Sequence, residues 1–370
     1  MARSSEKSEA LEEIDYDHPR TQSVFIEQSV PERQFLEAYN LGRLHHAWLL
    51  CGPKGIGKAT FAYRAAKFLL ASEKSEEGGL FGSAAPPETM DRSADDPGCR
   101  RVAAGSHADL TTLEPMRAGG QILVETADKL ASALRLTAGE GTWRVAIIDA
   151  ADDLNISAAN KLLKLIEEPP AHTVLFLISH NPGRLLPTIR SRCTRASFSC
   201  LSSEAIARII TMRRPDASKE EIFSAIELAS GSAGRALALL DGGGAEAVSS
   251  LANALMSKHG EGVLAAEGLA ASLARNNFQY DVVAESLISW LVFAAQPVSG
   301  NSAASGLPSQ MAMMAKAASA LGPKPWIELY EHATQRFERT KAVNLDPAQT
   351  LVDILARIQA LLARADKRAT

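Results

Sequence analysis

Cysteine is scarce in this chain of 370 residues: there are four (Cys51, Cys99, Cys193 and Cys200), and no two stand at a paired spacing. That excludes a disulfide framework and a complete structural zinc site, which takes four nitrogen or sulfur ligands. Long apolar runs are also missing. The most apolar stretch, "LISWLVFAA" at 287–295, falls short of the roughly 20 residues a bilayer-spanning helix takes, so it reads as a buried helix. The opening "MARSSEKSEALEEIDYDHPR" has no apolar segment of the secretory kind; a disordered tail over residues 1–20 is expected. Neither charge sign dominates, since 39 Lys and Arg against 43 Asp and Glu leave a net charge of −4. No global basic surface for nucleic acid follows from that balance, although a local patch can hide in a neutral average. No basic helix with interleaved aromatics stands out, so direct nucleic-acid contact stays open. The expectation is a soluble, cytoplasmic protein with no membrane partner. With 46% hydrophobic and 22% charged residues, the chain is ordinary for two or three domains with their own cores.

What is present is an alternation of apolar β-runs and helical patterns. Residues 21–45 carry apolar positions at helical spacing, "AWLLC" (47–51) reads as a buried strand, and "ATFAYRAAKFLLA" (59–71) as a helix. From 72 to about 100 the composition turns to Ser, Gly, Pro and acids, which predicts an inserted loop. Then come "DLTTLE" (109–114) as a strand, a helix over 122–136, "WRVAIIDAAD" (143–152) as a strand, and a helix over 157–168 stopped by Pro169-Pro170. "TVLFLIS" (173–179) and "SFSC" near 196–200 complete five strands. Strands of this kind alternating with helices predict a parallel sheet covered on both faces, an α/β nucleotide fold over residues 21–200. After 200 only helical patterns remain: a small helical domain over 201–242 ending in the linker-like "DGGGA", then an all-helical domain over 243–370 with a Gly/Ser/Pro-rich break at 297–309. Near the end, Asp346 and Pro347 read as N-cap and first residue of a helix with Leu351, Leu355, Ile358 and Leu362 on one face.

The segment "GPKGIGKAT" (52–60) follows the first strand and opens a helix, the setting a phosphate-binding loop requires. Gly52, Gly55, Gly57 and Lys58 supply the backbone cradle and the cation for phosphate. The hydroxyl residue that would follow the lysine and ligate Mg²⁺ is replaced by Ala59, and Thr60 lies about 100° further round the helix. The strand "VAIIDAAD" places Asp149 where ligands bind in open parallel sheets. The acid that would follow it to activate water is replaced by Ala150, and Asp152 reads equally as a turn cap. Three readings stay open: an inherited turn without ligand, nucleotide binding (ATP or ADP) without useful hydrolysis, and competent hydrolysis. Both losses fall on phosphoryl transfer, where positioning and electrostatics supply most of the catalysis.

The segment "RLLPTIRSRCTR" (184–195) holds four arginines and on composition alone reads as a solvated face. Taken in order, however, "GPKGIGK", "HADLTTLE", "VAIIDAADDLNISAANKLLKLIEEPP", "TVLFLISHNPGRLLPTIRSRC" and "GSAGRAL" resemble the clamp-loader branch of the AAA+ proteins, with "LLKLIEEPP" and "SRC" together highly specific. The likeness covers residues 18–245 and extends loosely to "NLDPAQTLVDIL".

That resemblance implies an AAA+ domain with a five-stranded parallel sheet, a helical lid, and an all-α collar domain that oligomerises. It implies work inside a DNA polymerase holoenzyme, beside motor and clamp-opening subunits, with the sliding clamp and primed DNA reached through the assembled complex. Ser191, Arg192 and Cys193 match the motif that reaches a neighbouring subunit's ATP site, with Arg192 as an arginine finger on the γ-phosphate. Ser179, with His180 and Asn181, matches a polar sensor position or a plain strand-end cap, and Arg235 lies one residue late for the lid-domain sensor arginine. Members of the branch often carry a four-cysteine zinc module; here the interval 72–108 keeps only Cys99, so no zinc is expected. His107 reads as structural, and Cys51 and Cys200 as small buried core residues. The alternative is an ATP-hydrolysing motor subunit, which an intact hydroxyl at 59 and an acid at 150 would have favoured.

Overall fold

A computed structural model of the chain describes residues 18–22, 25–72, 86–115, 120–135, 143–256, 262–273, 276–295, 321–343 and 346–369. These fall into two compact units that divide between Cys200 and Leu201.

The first unit is built on β1 (Ala47–Cys51), β2 (Leu110–Leu113), β3 (Arg144–Asp149), β4 (Thr173–Ser179) and β5 (Thr194–Ser197), in the spatial order β2-β3-β4-β1-β5. Every pairing is parallel, as the apolar runs imply. Successive side chains along a strand point to opposite faces, and both faces are covered. Trp48, Leu50, Val145, Ile147, Val174, Phe176 and Ile178 meet Phe35 of α1 (Ser29–Asn40) and Phe61 and Phe68 of α2 (Lys58–Leu70). On the other face Leu49, Ile148, Leu175 and Leu177 pack on Leu130 of α4 (Val124–Arg135), Leu162 and Ile166 of α5 (Ile156–Glu167) and Ile189 of α6 (Pro187–Arg190). Phe35 is fully buried with its ring 5.4–6.2 Å from those of Trp48, Phe61, Phe68 and Phe176, an aromatic cluster in which truncating Phe35 to Ala would cost about 3–5 kcal/mol.

Three local expectations need correction. The helical pattern over 21–45 is a helix only from Ser29 to Asn40, because the chain turns at Gly42, where φ is +64°. The loop expected over 72–100 ends early: residues 73–85 lie outside the described residues, but α3 (Pro97–Ala104) starts inside it. Asp96 caps that helix by accepting from Cys99 N at 2.9 Å, and it also accepts from Ser72 N at 3.1 Å. Lastly, β5 lies three residues earlier than "SFSC", since Thr194–Ser197 is the stretch in register with Trp48–Cys51. Cys200 is therefore beyond the sheet and exposed rather than buried, whereas Cys51 is buried as expected.

The second unit contains no strand among the described residues. It runs through α7 (Ser203–Arg213), α8 (Lys219–Ala229), α9 (Ala233–Asp241), α10 (Gly244–Met256), α11 (Gly262–Leu273), α12 (Asn277–Ala294), α13 (Pro323–Val343) and α14 (Pro347–Ala369). The "DGGGA" segment is a tight junction between α9 and α10, where Gln279 donates to the carbonyls of Gly242 at 3.1 Å and Gly243 at 3.3 Å. "LISWLVFAA" lies in α12 and its C-cap, with Trp290 buried edge-on to Trp326 at 5.5 Å. Asp346 accepts from Ala348 N at 2.9 Å and so caps α14, whose Leu351, Leu355 and Ile358 are buried while Leu362 is half-buried. Among the described residues no helix is long and apolar enough to cross a membrane. The tail over 1–17 and the break at 297–309 lie outside the described residues; His18–Gln22 form a single turn around Pro19–Thr21.

Candidate functional site

The carboxyl ends of β3, β4 and β1 are neighbours in the sheet. The register sets Ser179 beside Cys51 and Asp149 beside Ile178, which brings Asp149, Ser179 and the loop beginning at Gly52 to one edge. The loop's shape is fixed by packing. Gly52 has φ +149°, and a Cβ there would stand 2.7 Å from the Phe198 carbonyl oxygen and 2.8 Å from Ile56 Cδ1. Ile56 is 1% exposed. The buried Gln28 amide donates to the carbonyls of Ile56 at 3.4 Å and Ser199 at 2.8 Å, tying the loop to the chain beyond β5. Gly55 and Gly57 also have positive φ, and Gly57, at +100°, is the N-cap of α2.

Lys58 is 3% exposed. Its Nζ donates to Gly52 O at 2.6 Å and also to Pro53 O. The cation that would reach a ligand's outer phosphates thus closes its own loop. Burial lowers its pKa to about 8, opposed by the negative charges of Asp149 and Asp152. Ala59 packs against the core on the next position of α2, and Thr60 follows it half-buried.

Asp149 ends β3, where burial raises its carboxyl pKa to about 6; the charge of Glu114 adds to the rise and Lys58 opposes it. Glu114 is not visible as a site residue from the sequence. It follows Leu113, which is in register with Ile148, so the second carboxylate stands beside Asp149 at the end of β2. Tyr63 donates to Glu114 Oε1 at 3.4 Å, and the His18 ring lies 3.8 Å from the same oxygen. The neighbouring His18 ring is the main reason Glu114 titrates below the ordinary carboxylate range.

Asp152 fastens the segment that follows β4. Its carboxylate accepts from Ser179 Oγ at 2.8 Å, from Asn181 N at 3.3 Å and from His180 N. Ser179 is fully buried, and Asn181 in turn accepts from Gly183 N at 3.2 Å. The side chains of Ser179 and Asn181 are therefore occupied within the strand-end structure. Burial lowers the His180 imidazole pKa to about 4, with the Lys58 charge second, and its buried Nδ1 has no hydrogen-bond partner.

Ser191, Arg192 and Cys193 occupy the turn between α6 and β5. All five strands run the same way, so a turn that enters β5 lies at the amino edge of the sheet, whereas the loop at Gly52 leaves its carboxyl edge. A strand of this length separates the two edges by roughly 13 Å. Cys193 packs beneath the sheet, and burial pushes its thiol up to about 12. Ser191 is exposed and donates to Thr188 O at 3.1 Å. Arg192 is 43% exposed in its side chain. Its Nε pairs with Glu167 Oε1 at 2.9 Å, and its Nη1 donates to Thr188 O at 3.2 Å.

In the second unit Arg235 sits in the first turn of α9, where its N–H reaches the Ser232 cap at 3.1 Å and its Nη1 pairs with Glu285 Oε2 at 2.6 Å. Among the described residues, no group of three or more His, Cys, Asp or Glu is placed to hold a metal ion. Cys99 is buried in α3, its thiol pushed up to about 11 by burial, and faces Lys67 O at 3.8 Å.

Residues 27–202 match the family model described as "DNA polymerase III, delta subunit". The delta' subunit of DNA polymerase III from Pseudomonas aeruginosa is 36% identical over 187 residues, which is 50% of this chain and 53% of that protein. The delta' subunit from Escherichia coli is 32% identical over 222 residues, 60% of this chain and 62% of its own length. The tau subunit from Salmonella typhimurium is 33% identical over 167 residues, 45% of this chain and 24% of that one. The chain thus spans between half and two-thirds of the length of these two delta' relatives. Over residues 27–202 the chain is similar to the DNA polymerase III delta family, in agreement with the resemblance read from the motifs.

Proposed function

We propose that the chain is a delta-prime-type subunit of a bacterial DNA polymerase III clamp loader. It braces the assembly and offers Arg192 to the ATP site of a neighbouring subunit while a sliding clamp is loaded onto primed DNA. The observation that carries this reading is the separation of the two features on one sheet. The loop and Lys58 lie at the carboxyl edge, and Arg192 stands exposed at the amino edge, out of reach of its own loop. A planar cation in that place is too far from its own loop to act there, and its exposed side is open to an anion brought by another chain. The helical regions 201–242 and 243–370 then act as lid and collar, the latter joining motor and clamp-opening subunits. Ser179 and Arg235 have protein partners of their own and serve the fold before any sensor role.

The same reading makes this chain's own ATPase activity absent. Gly55, Gly57, Lys58 and Asp149 would hold ATP or ADP if one binds, with the nucleotide's phosphates replacing the Gly52 and Pro53 carbonyls at Lys58. With Ala59 and Ala150 at the metal and water positions, bound nucleotide would be a structural plug. The test is DNA- and clamp-stimulated ATP hydrolysis by the reconstituted loader with wild-type chain and with Arg192→Ala, assembly being checked by gel filtration. A fall of tenfold or more, about 1.4 kcal/mol of transition-state stabilisation, is expected with the complex intact. An unchanged rate would reduce Arg192 to a solvated charge.

The second reading, an ATP-hydrolysing motor subunit, draws on the likeness to a tau subunit and on the glycine pattern of the loop. It requires the isolated chain to hydrolyse ATP at a rate that Lys58→Met abolishes.

A further inference from the structure

Glu167 is the last residue of α5 and breaks a local rule. A helix carboxyl end carries a partial negative charge, so an acid there is disfavoured, and Glu168 adds a second acid beside it. What offsets the cost is Arg192, whose Nε meets Glu167 Oε1 at 2.9 Å. A local rule broken on an exposed surface, with a partner that restores the balance, is where function is expected.

The remaining contacts fix the guanidinium in one pose. Nη1 donates to Thr188 O at 3.2 Å and lies 3.5 Å from Ser191 Oγ, both on the α6 segment that leads into the turn. One edge of the planar fork is thus held by Glu167 and one corner by α6. Among the described residues Nη2 has no hydrogen-bond partner, and the side chain stays 43% exposed. Arg carries about 2 kcal/mol of rotamer entropy, which a flexible finger would lose on meeting a phosphate. A finger already held by its Nε edge loses less.

We infer that Glu167 is a positioning residue for Arg192: it holds the guanidinium by Nε so that Nη2 is presented to the anionic group of a neighbouring subunit's nucleotide. This rests on the proposed role of Arg192 in trans. Glu167 touches no reacting atom, so its loss affects the rate through the pose of Arg192 alone. Exposed ion pairs are weak, which sets the size of the effect at roughly two- to fivefold.

Two measurements separate the inference from the reading it rests on. The first uses the isolated full-length chain with 15N-labelled arginine, the Arg192 Nε–H resonance being assigned by its loss in Arg192→Lys. It should be shifted and slow to exchange in the wild type, and should collapse to the solvent-exposed position in Glu167→Ala. A resonance unmoved in Glu167→Ala would overturn the positioning role. The second is ATP hydrolysis by the reconstituted loader with Glu167→Gln, Glu167→Ala, Arg192→Ala and the double variant. Glu167→Ala should lower kcat about two- to fivefold with KM for ATP unchanged, Glu167→Gln should recover part of the loss, and neither should matter once Arg192 is Ala. Unaltered or faster hydrolysis by Glu167→Ala, beside a strong loss in Arg192→Ala, would overturn the positioning role and leave the trans-arginine reading standing. A loader indifferent to Arg192→Ala would remove both, even if the resonance showed the pair to be formed.

Discussion

Asp152→Ala should destabilise the first unit, and the size of the effect separates a structural carboxylate from a catalytic one. The carboxylate accepts from Ser179 Oγ, Asn181 N and His180 N, so it holds the end of β4 and the turn after it. Hydrogen bonds to a charged acceptor contribute about 1.5–3 kcal/mol each. The backbone donors of His180 and Asn181 are near solvent and water can reach them once the carboxylate is gone. Ser179 is fully buried, and its hydroxyl would be left without a partner at about 1–3 kcal/mol. The net loss is then about 3 kcal/mol. For a folding unit of about 200 residues each kcal/mol moves the melting temperature by about 2–4 °C, which gives a fall of about 6–12 °C.

The assay is calorimetry on the whole chain, whose two compact units can melt separately, so the first unit's transition is followed rather than one global value. Asp152→Asn keeps one acceptor oxygen and should lose about half as much. An acid kept to activate water would behave in the opposite way, because strained catalytic groups cost stability and their removal tends to restore it. A melting temperature within about 2 °C of wild type would refute the structural account. It would put Asp152 back among the candidates for chemistry.

Two other perturbations test the site. Lys58, whose ordinary pKa of 10.5 is lowered to about 8 in the fold, binds fewer protons folded than unfolded between those values. Stability should therefore rise with pH from about 8 to 10.5, by about 3 kcal/mol at most, and Lys58→Met should lack the rise; equal urea responses of the two proteins at pH 7.5 and 9.5 would contradict it. Thiol labelling of the native chain at neutral pH should show one fast cysteine, Cys200, with Cys51 and Cys99 buried and Cys193 raised to about 12 by burial. A second fast thiol that survives Cys200→Ser would contradict the packing described for them.

The sheet is legible in the sequence because its strands are buried on both faces. "AWLLC" and "TVLFLIS" are unbroken apolar runs bounded by polar residues, and their limits match β1 and β4 residue for residue. The helix before Pro169 ends where proline requires. The pattern misplaces β5 because that strand lies at the edge of the sheet and reads "TRAS", where only Ala196 is buried. α3 is hidden by its own start: Pro97-Gly98 looks like a turn, and only the Asp96 carboxylate aimed at Cys99 N reveals a capped helix. Within the site, residue types are readable and partnerships are not. The sequence pattern names Lys58 but does not say that its ammonium meets Gly52 O and Pro53 O. Glu114 becomes visible only through the register of β2 against β3, and Glu167 only through a contact between residues 25 positions apart.

The glycine pattern of the loop needs no phosphate to explain it. Gly52 is confined by the Phe198 carbonyl and by Ile56, which is itself core, so any side chain at 52 would push β1 away from the strand it pairs with. Gly57 must be glycine because α2 starts from a positive φ. Lys58 supplies the positive charge that a ligand's phosphates would have met, but turns it on the loop's own carbonyls. On the proposed reading, therefore, the loop serves as a rigid joint between β1 and α2. On that same reading the functional charge is the one at the opposite edge, where Arg192 pairs with Glu167 and stays exposed. The two edges make separable demands on the sequence. Substitutions at Gly52 or Gly57 should cost stability with little direct effect on a partner's hydrolysis, and substitutions at Arg192 should do the reverse.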